Sequence, residues 1–96
     1  MPIDPQDLGD LIAIRDAGTL SAAAKARGVA VSTVSRRIET LEAALGLQLV
    51  DRRTDGVRLT RAGLAVAEAA SPIAEQMRRV ERVAESLRQG VKSVPV

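Results

Sequence analysis

Residues 19–45, TLSAAAKARGVAVSTVSRRIETLEAAL, decide the fold of this chain. They hold two short helical patterns joined at Gly28, and the second pattern carries Ser, Thr and two adjacent Arg on its polar side. Two helices joined by a tight turn form the arrangement that places a helix in a DNA groove. We therefore predict a helix-turn-helix whose second helix is the recognition helix.

The segments around this unit predict further helices. Asp4 and Pro5 suit the cap and first position of a first helix, and Gly18 suits the position just after its end. By the same rules we expect Ser21 to cap the second helix and Gly28 to end it.

The recognition helix has apolar residues at spacings of four, three and four, which place them on one face. Its end is predicted at Gly46. Its start is open between Ala30, a poor cap, and Ser32, a good cap two residues later. The apolar face consists of Val34, Ile38, Leu41 and Leu45.

A basic hairpin is predicted after Gly46. Leu49 and Val50 lead through Asp51-Arg52-Arg53-Thr54 into Asp55-Gly56, a hairpin-turn signal, and Val57-Arg58-Leu59 is the return strand. A two-stranded hairpin of this size is not stable alone. We therefore expect it to lean on the helices as a wing.

A long helix capped by Thr60 is predicted to complete the chain. Its apolar residues alternate steps of four and three over three heptads, which favours a partner helix and hence a homodimer, although packing on its own domain is the alternative. Pro72 is expected to kink this helix or divide it near Ser71. The predicted dimer contacts are Val66, Ala70, Ile73, Met77, Val80, Ala84 and Leu87, with Val91 continuing the pattern.

Composition restricts the chemistry. The 96 residues contain no Phe, Tyr, Trp, His or Cys. Base stacking on aromatic side chains, imidazole or thiolate metal sites, and Cys or His catalysis are therefore excluded. We expect no cofactor, no metal and no enzymatic activity. With no apolar run near the ~20 residues of a membrane span and an acidic N-terminus, we expect a soluble cytoplasmic protein without a membrane partner.

Charge is distributed unevenly along the chain. The formal net charge is +2, yet residues 27–61 contain seven Arg against four acidic residues. These arginines are either ordinary solvated side chains or phosphate contacts. Clustering of Arg rather than Lys favours phosphate contacts.

Several motifs in register resemble the N-terminal domain of LysR-type transcriptional regulators, over about residues 5–90. That resemblance implies a mostly α winged helix-turn-helix (three-helix bundle plus two-stranded hairpin) followed by a long dimerisation helix, in a bacterial DNA-binding protein located at the nucleoid. The matching pieces are Ser21-Ala22-Ala23-Ala24, Val29, Ser32-x-Val34-Ser35-Arg36-x-Ile38, Leu41-Glu42-x-x-Leu45-Gly46, Leu49-x-x-Arg52 and Leu59-Thr60-x-x-Gly63.

The resemblance also implies a division of the chain. Residues 1–60 would form the DNA-binding domain, 61–90 the linker helix, and 91–96 a hinge tail. The family's large effector-binding domain, of the periplasmic-binding-protein type, is not within these 96 residues. We therefore expect a domain cut at its hinge rather than a short natural protein, and no small-molecule ligand in this chain.

Two departures from the family pattern concern function. Arg27 stands where Leu commonly closes the second helix, so we expect its side chain to point outward or toward phosphate. Val31 stands where many members carry Gln at the front of the recognition helix. A Val side chain donates no hydrogen bond and would contact only a thymine methyl or line the groove.

The predicted function is sequence-specific binding of a dyad site in double-stranded DNA by a homodimer. Arg36 is the leading candidate for a base contact, because its guanidinium can bond guanine O6 and N7 together. Ser32 is either a helix cap, a DNA contact or both, and Arg52 either contacts DNA or fixes the wing by an internal pair. A winged helix used only for protein association is the alternative. The predicted DNA-binding residues are Thr19, Ser21, Val31, Ser32, Thr33, Ser35, Arg36, Arg37, Arg52, Arg53 and Arg58.

Overall fold

The computed structural model describes residues 2–53 and 56–90 and has the predicted architecture. Four helices and a two-stranded antiparallel sheet form a winged helix-turn-helix with a long last helix. The predicted turn residues 54–55 and the tail 91–96 lie outside the described residues. The elements are α1 (Pro5–Ala17), α2 (Leu20–Arg27), α3 (Val31–Leu45), β1 (Val50–Arg53), β2 (Gly56–Leu59) and α4 (Arg61–Arg88).

Local capping explains where α1 and α2 begin. The Asp4 carboxylate accepts from the Gln6 backbone N–H at 2.9 Å, as predicted. The predicted Ser21 cap of α2 is wrong, because Thr19 is the cap and its hydroxyl accepts from the Ala22 N–H at 3.0 Å. Thr19 has the extended backbone that a cap needs, whereas Ser21 is already the second residue of the helix.

The start of α3 is resolved in favour of Ala30. The Ala30 carbonyl accepts from the N–H groups of Thr33 and Val34 at 3.0 and 3.2 Å, which closes the first turn with Ser32 inside it. Ala30 has no side-chain oxygen to cap the helix. Ser32 is therefore not the cap, and its hydroxyl is free of that role.

The core is aliphatic and lies where the four helices and the hairpin meet. Small side chains on α2 and α4 let these helices approach α1 closely, as Ala23 and Ala67 are fully buried. Val50 and Val57 bring both strands into the same core, so the hairpin leans on the helices as predicted. The buried cluster is Leu11, Ile14, Ala23, Ala24, Val34, Ile38, Leu41, Leu49, Val50, Val57 and Ala67.

The wing is anchored between α3 and α4 by backbone-directed bonds. The Glu42 carboxylate accepts from the Leu49 N–H at 2.8 Å, and Thr60 Oγ1 donates to the Gln48 carbonyl at 2.6 Å. A Cβ on Gly63 would lie 2.0 Å from the Leu49 carbonyl oxygen, so only glycine fits there. These contacts give a physical reason for the Leu-Glu-x-x-Leu-Gly and Leu-Thr-x-x-Gly motifs.

The buried residues of α4 all lie in its first third. Ala70 is buried within the protomer and Val66 is half-buried against the core. The dimer contacts expected of these two residues stay predictions. The helix continues through Pro72, so of the two expected effects the division near Ser71 is wrong, and the kink stays a prediction. Beyond that point Ile73, Met77, Val80 and Leu87 are exposed.

The helix continues because the one hydrogen bond that proline removes would end on the Glu68 carbonyl, at an exposed residue where water can replace the donor. The Ser71 hydroxyl also donates to the Ala67 carbonyl at 2.9 Å in the adjacent turn. Among the described residues, no helix is both long and apolar enough to cross a membrane.

Candidate nucleic-acid interface

The outward face of α3 is polar and uncovered. Val34 and Ile38 fix the opposite face in the core, so the helix cannot rotate without exposing apolar surface. On the outward side, Val31, Ser32 and Arg36 are exposed, and Ser32 and Arg36 are four residues apart on one stripe. A rigid helix with a free polar stripe is suited to enter a groove.

Arg36 and Arg37 are adjacent in sequence but have different surroundings. Arg36 is exposed and makes no ion pair with any residue in the described part of the chain. Arg37 is half-buried, and its Nη1 lies 3.3 Å from Oδ2 of Asp10 on α1. The sequence offers Arg37 no acidic partner along its own helix, and the structure provides one from another helix. Arg36 is therefore the available cation of the pair.

The hydroxyl candidates divide between α2 and α3. Thr33 and Ser35 are half-buried on α3, beside the exposed stripe. Thr19 and Ser21 are exposed at the first turn of α2. The Thr19 hydroxyl already accepts the capping bond from Ala22 but keeps its own proton to donate.

The wing carries cations close to α3. Arg52 on β1 pairs with Glu39 on α3, with 3.5 Å between Nη1 and Oε1, so an internal pair is present. Arg58 on β2 is exposed, and its Cα partner across the hairpin is Asp51. The side chain of Arg53 lies outside the described part of the structure. The pair places the Arg52 cation beside Glu39, an exposed carboxylate of α3. No role was predicted for Glu39 from the sequence.

Arg27 has a partner that its prediction did not include. The residue is exposed, which agrees with the outward alternative, but its side chain is not free, because its Nε donates to Oδ1 of Asp10 on α1 at 2.8 Å. The partner Asp10 has 0% exposure and was not assigned by sequence reasoning. The spacing contained a signal, since Asp7 and Asp10 fall at the same helical positions as Leu11 and Ile14. The inner face of α1 therefore includes two carboxylates.

Asp7, the other carboxylate on the inner face of α1, has a raised pKa. Burial raises the pKa of Asp7, the nearby Asp4 and Asp10 carboxylates raise it further, and Arg37 acts in the opposite direction. Among residues 2–53 and 56–90, no group of three acidic side chains is arranged to hold a metal ion. The two buried carboxylates of α1 therefore lie near arginine side chains of α2 and α3.

Known proteins share this chain's sequence and architecture. A family model described as bacterial regulatory helix-turn-helix protein, lysR family, matches residues 5–64. An uncharacterized HTH-type transcriptional regulator of Mycobacterium tuberculosis is 40% identical over 77 residues, which cover 80% of this chain and 25% of that protein. The chain spans about a quarter of the length of the curated relatives it matches.

Similar solved structures include complexes with DNA. The complex of the CbnR DNA-binding domain with DNA is 34% identical with a TM-score of 0.74, covering 88% of this chain and 98% of that one. Vibrio fischeri DarR, a LysR-type regulator solved with DNA, is 29% identical with a TM-score of 0.76, covering 93% of this chain and 30% of that one. The family model covers more than half of the chain, and the fold agrees with it. This chain belongs to the LysR family of bacterial regulatory helix-turn-helix proteins.

Proposed function

We propose that this chain binds double-stranded DNA in a sequence-specific manner, as a homodimer, and serves as the DNA-binding part of a transcriptional regulator. The single observation that carries the proposal is the outer face of α3. Ser32 and Arg36 are exposed on it while Val34 and Ile38 fix its inner face in the core. Solved relatives of the family in complex with DNA support the same use of this domain.

Base recognition is assigned to α3. Arg36 contacts a guanine through two parallel hydrogen bonds, for which all five N–H donors of its guanidinium, unpaired within the described part of the chain, are available. Ser32, Thr33 and Ser35 donate to or accept from base edges and phosphates. Val31 is exposed at the first turn and contacts a thymine methyl.

Phosphate contacts are assigned to the flanks of α3. Thr19 and Ser21 approach one strand from the first turn of α2, where backbone N–H groups also favour an anion. Arg58 and Arg53 follow the backbone or enter the minor groove from the wing. Arg52 neutralises Glu39, which would otherwise repel phosphate. Arg37 is assigned to the protein interior rather than to DNA.

Homodimerisation is assigned to the exposed apolar face of α4 beyond Pro72. Val80 is 66% exposed and Leu87 61%, and Ile73, Met77 and Ala84 complete the same helical face. A row of large apolar side chains at alternating spacings of four and three is typical of a helix that packs on a partner. Two copies would present two α3 helices to one duplex. We place such a dimer in the bacterial cytoplasm, on the nucleoid.

The test is duplex affinity as a function of salt, measured by fluorescence anisotropy. Arg36→Ala is expected to cost ~1–3 kcal/mol at one base position while other positions keep their preferences. The matched control is Arg79→Ala, which removes the same charge from an exposed site on α4. A uniform loss across all sequences would make Arg36 a phosphate contact. Absence of duplex binding by the unaltered chain would instead favour a protein-association module.

A further inference from the structure

One buried carboxylate joins the three helices of the helix-turn-helix. Asp10 on α1 is fully buried, and each of its oxygens meets a different arginine. Oδ1 accepts from Arg27 Nε at 2.8 Å at the end of α2, and Oδ2 from Arg37 Nη1 at 3.3 Å in the middle of α3. We call this set of three side chains the Asp10 cluster.

The neighbouring glycine makes room for the cluster. A Cβ on Gly9 would lie 2.7–2.8 Å from the guanidinium atoms of Arg27. Because Gly9 has no side chain, the guanidinium can lie flat over α1 and reach Asp10 from the side. The two arginine side chains remain 33% and 24% exposed, so only the carboxylate is fully removed from water.

The cluster is suited to fix geometry rather than to add stability. A buried ion pair gains little over a well-packed apolar group, because desolvation of the charges offsets their attraction. Its hydrogen bonds, however, are directional and charge-assisted, and a shift of any one helix would leave a buried charge without its partner. The lowest-energy arrangement is therefore one fixed orientation of α1, α2 and α3.

We propose that Asp10 is a positioning residue for the recognition helix, acting on α3 through Arg37 and on α2 through Arg27. This inference rests on the proposed function, because the orientation it fixes is that of the DNA-contacting face. Arg36 directly precedes Arg37 on the α3 backbone, so the placement of Arg37 also sets where the Arg36 side chain points. Base contacts demand close placement, within roughly 0.5 Å and 10–20°, whereas non-specific phosphate contacts do not.

The first measurement is the orientation of the helices, from residual dipolar couplings of the 96-residue chain. Asp10→Asn keeps the shape of the side chain but removes its charge. We expect the α1–α3 angle to change by roughly 10° or the couplings of α3 to be averaged. Arg37→Gln, which removes the α3 guanidinium that contacts Asp10, is the second variant if Asp10→Asn does not fold. Arg79→Gln is the surface control, with couplings unchanged.

The second measurement is the ratio of affinities for a selected duplex and an unrelated duplex, in the folded fraction of each variant. Loss of positioning predicts that this ratio falls about tenfold while unrelated-duplex binding stays constant. A merely structural role would lower the melting temperature and leave the ratio unchanged.

Two outcomes would overturn the proposal. One is unchanged helix orientation together with an unchanged affinity ratio in both variants. The other is an equal loss on both duplexes in Arg37→Gln with a shallower salt dependence, which would make Arg37 a phosphate contact. If the unaltered chain prefers no duplex, the proposed function fails, and the dipolar couplings still decide the role of Asp10.

Discussion

Asp7 is the residue at which pH should affect stability most directly. Burial and the nearby Asp4 and Asp10 raise the pKa of Asp7 in the folded chain above its ordinary value. The folded state therefore holds that proton more tightly than the unfolded state, so this group weakens folding as pH rises through the window above about 4. At neutral pH the ionised Asp7 carboxylate therefore lowers the free energy of unfolding.

We expect Asp7→Asn to raise the melting temperature near neutral pH, with a gain that shrinks toward zero as the pH falls below about 4. Circular dichroism melts over a pH series measure this difference. Glu81→Gln, at an exposed site on α4, is the control and should leave the pH profile unchanged. A loss of stability in Asp7→Asn that grows with pH would show that the folded chain stabilises the carboxylate.

At this scale, local chemistry was predictable and distant pairing was not. Asp4 as the cap of α1 follows from neighbouring residues alone. Arg27 and Arg37 share one partner, Asp10, which lies 17 residues before Arg27 and 27 residues before Arg37. Only the packing of three helices brings these side chains together. The Ser21 prediction failed because a nearby hydroxyl, that of Thr19, had the better cap position.

At the scale of elements, α4 lies very close to Leu49, the residue just before β1. The Gly63 backbone lies so close to the Leu49 carbonyl that no Cβ fits. We expect Gly63→Ala to destabilise the fold by about 3 kcal/mol or more, because the clash is with backbone and cannot be relieved by a rotamer change. Urea denaturation measures the effect. Ala62→Gly, one residue earlier, is the control with a cost of about 1 kcal/mol.

A Gly63→Ala chain as stable as the Ala62→Gly chain would contradict this packing.

Every element of the fold was predictable from caps, spacings and turn residues, since these signals lie within a few residues of one another. The continuity of α4 through Pro72 was not predictable, because a proline inside a helical pattern predicts either a kink or a break.

For the whole molecule, the exposed apolar face of α4 predicts a dimer. Val80→Asp places a charge in the middle of that face, and we expect the dimer to dissociate and affinity for a two-half-site duplex to fall toward that of a single half-site. Sedimentation equilibrium measures the assembly. Arg82→Gln changes the net charge equally on the polar face and is the control. An unchanged assembly in Val80→Asp would remove α4 from the interface.

The central claim is that the outer face of α3 gives this chain sequence-specific binding to duplex DNA as a dimer. Selection from a pool of random duplexes tests it most directly, with the unaltered chain and the Arg36→Ala variant run in parallel. We predict enrichment of sequences with two inverted half-sites, and a lost base preference at one position per half-site in the variant. Failure to enrich any dyad sequence, or identical preferences in both chains, would contradict the account.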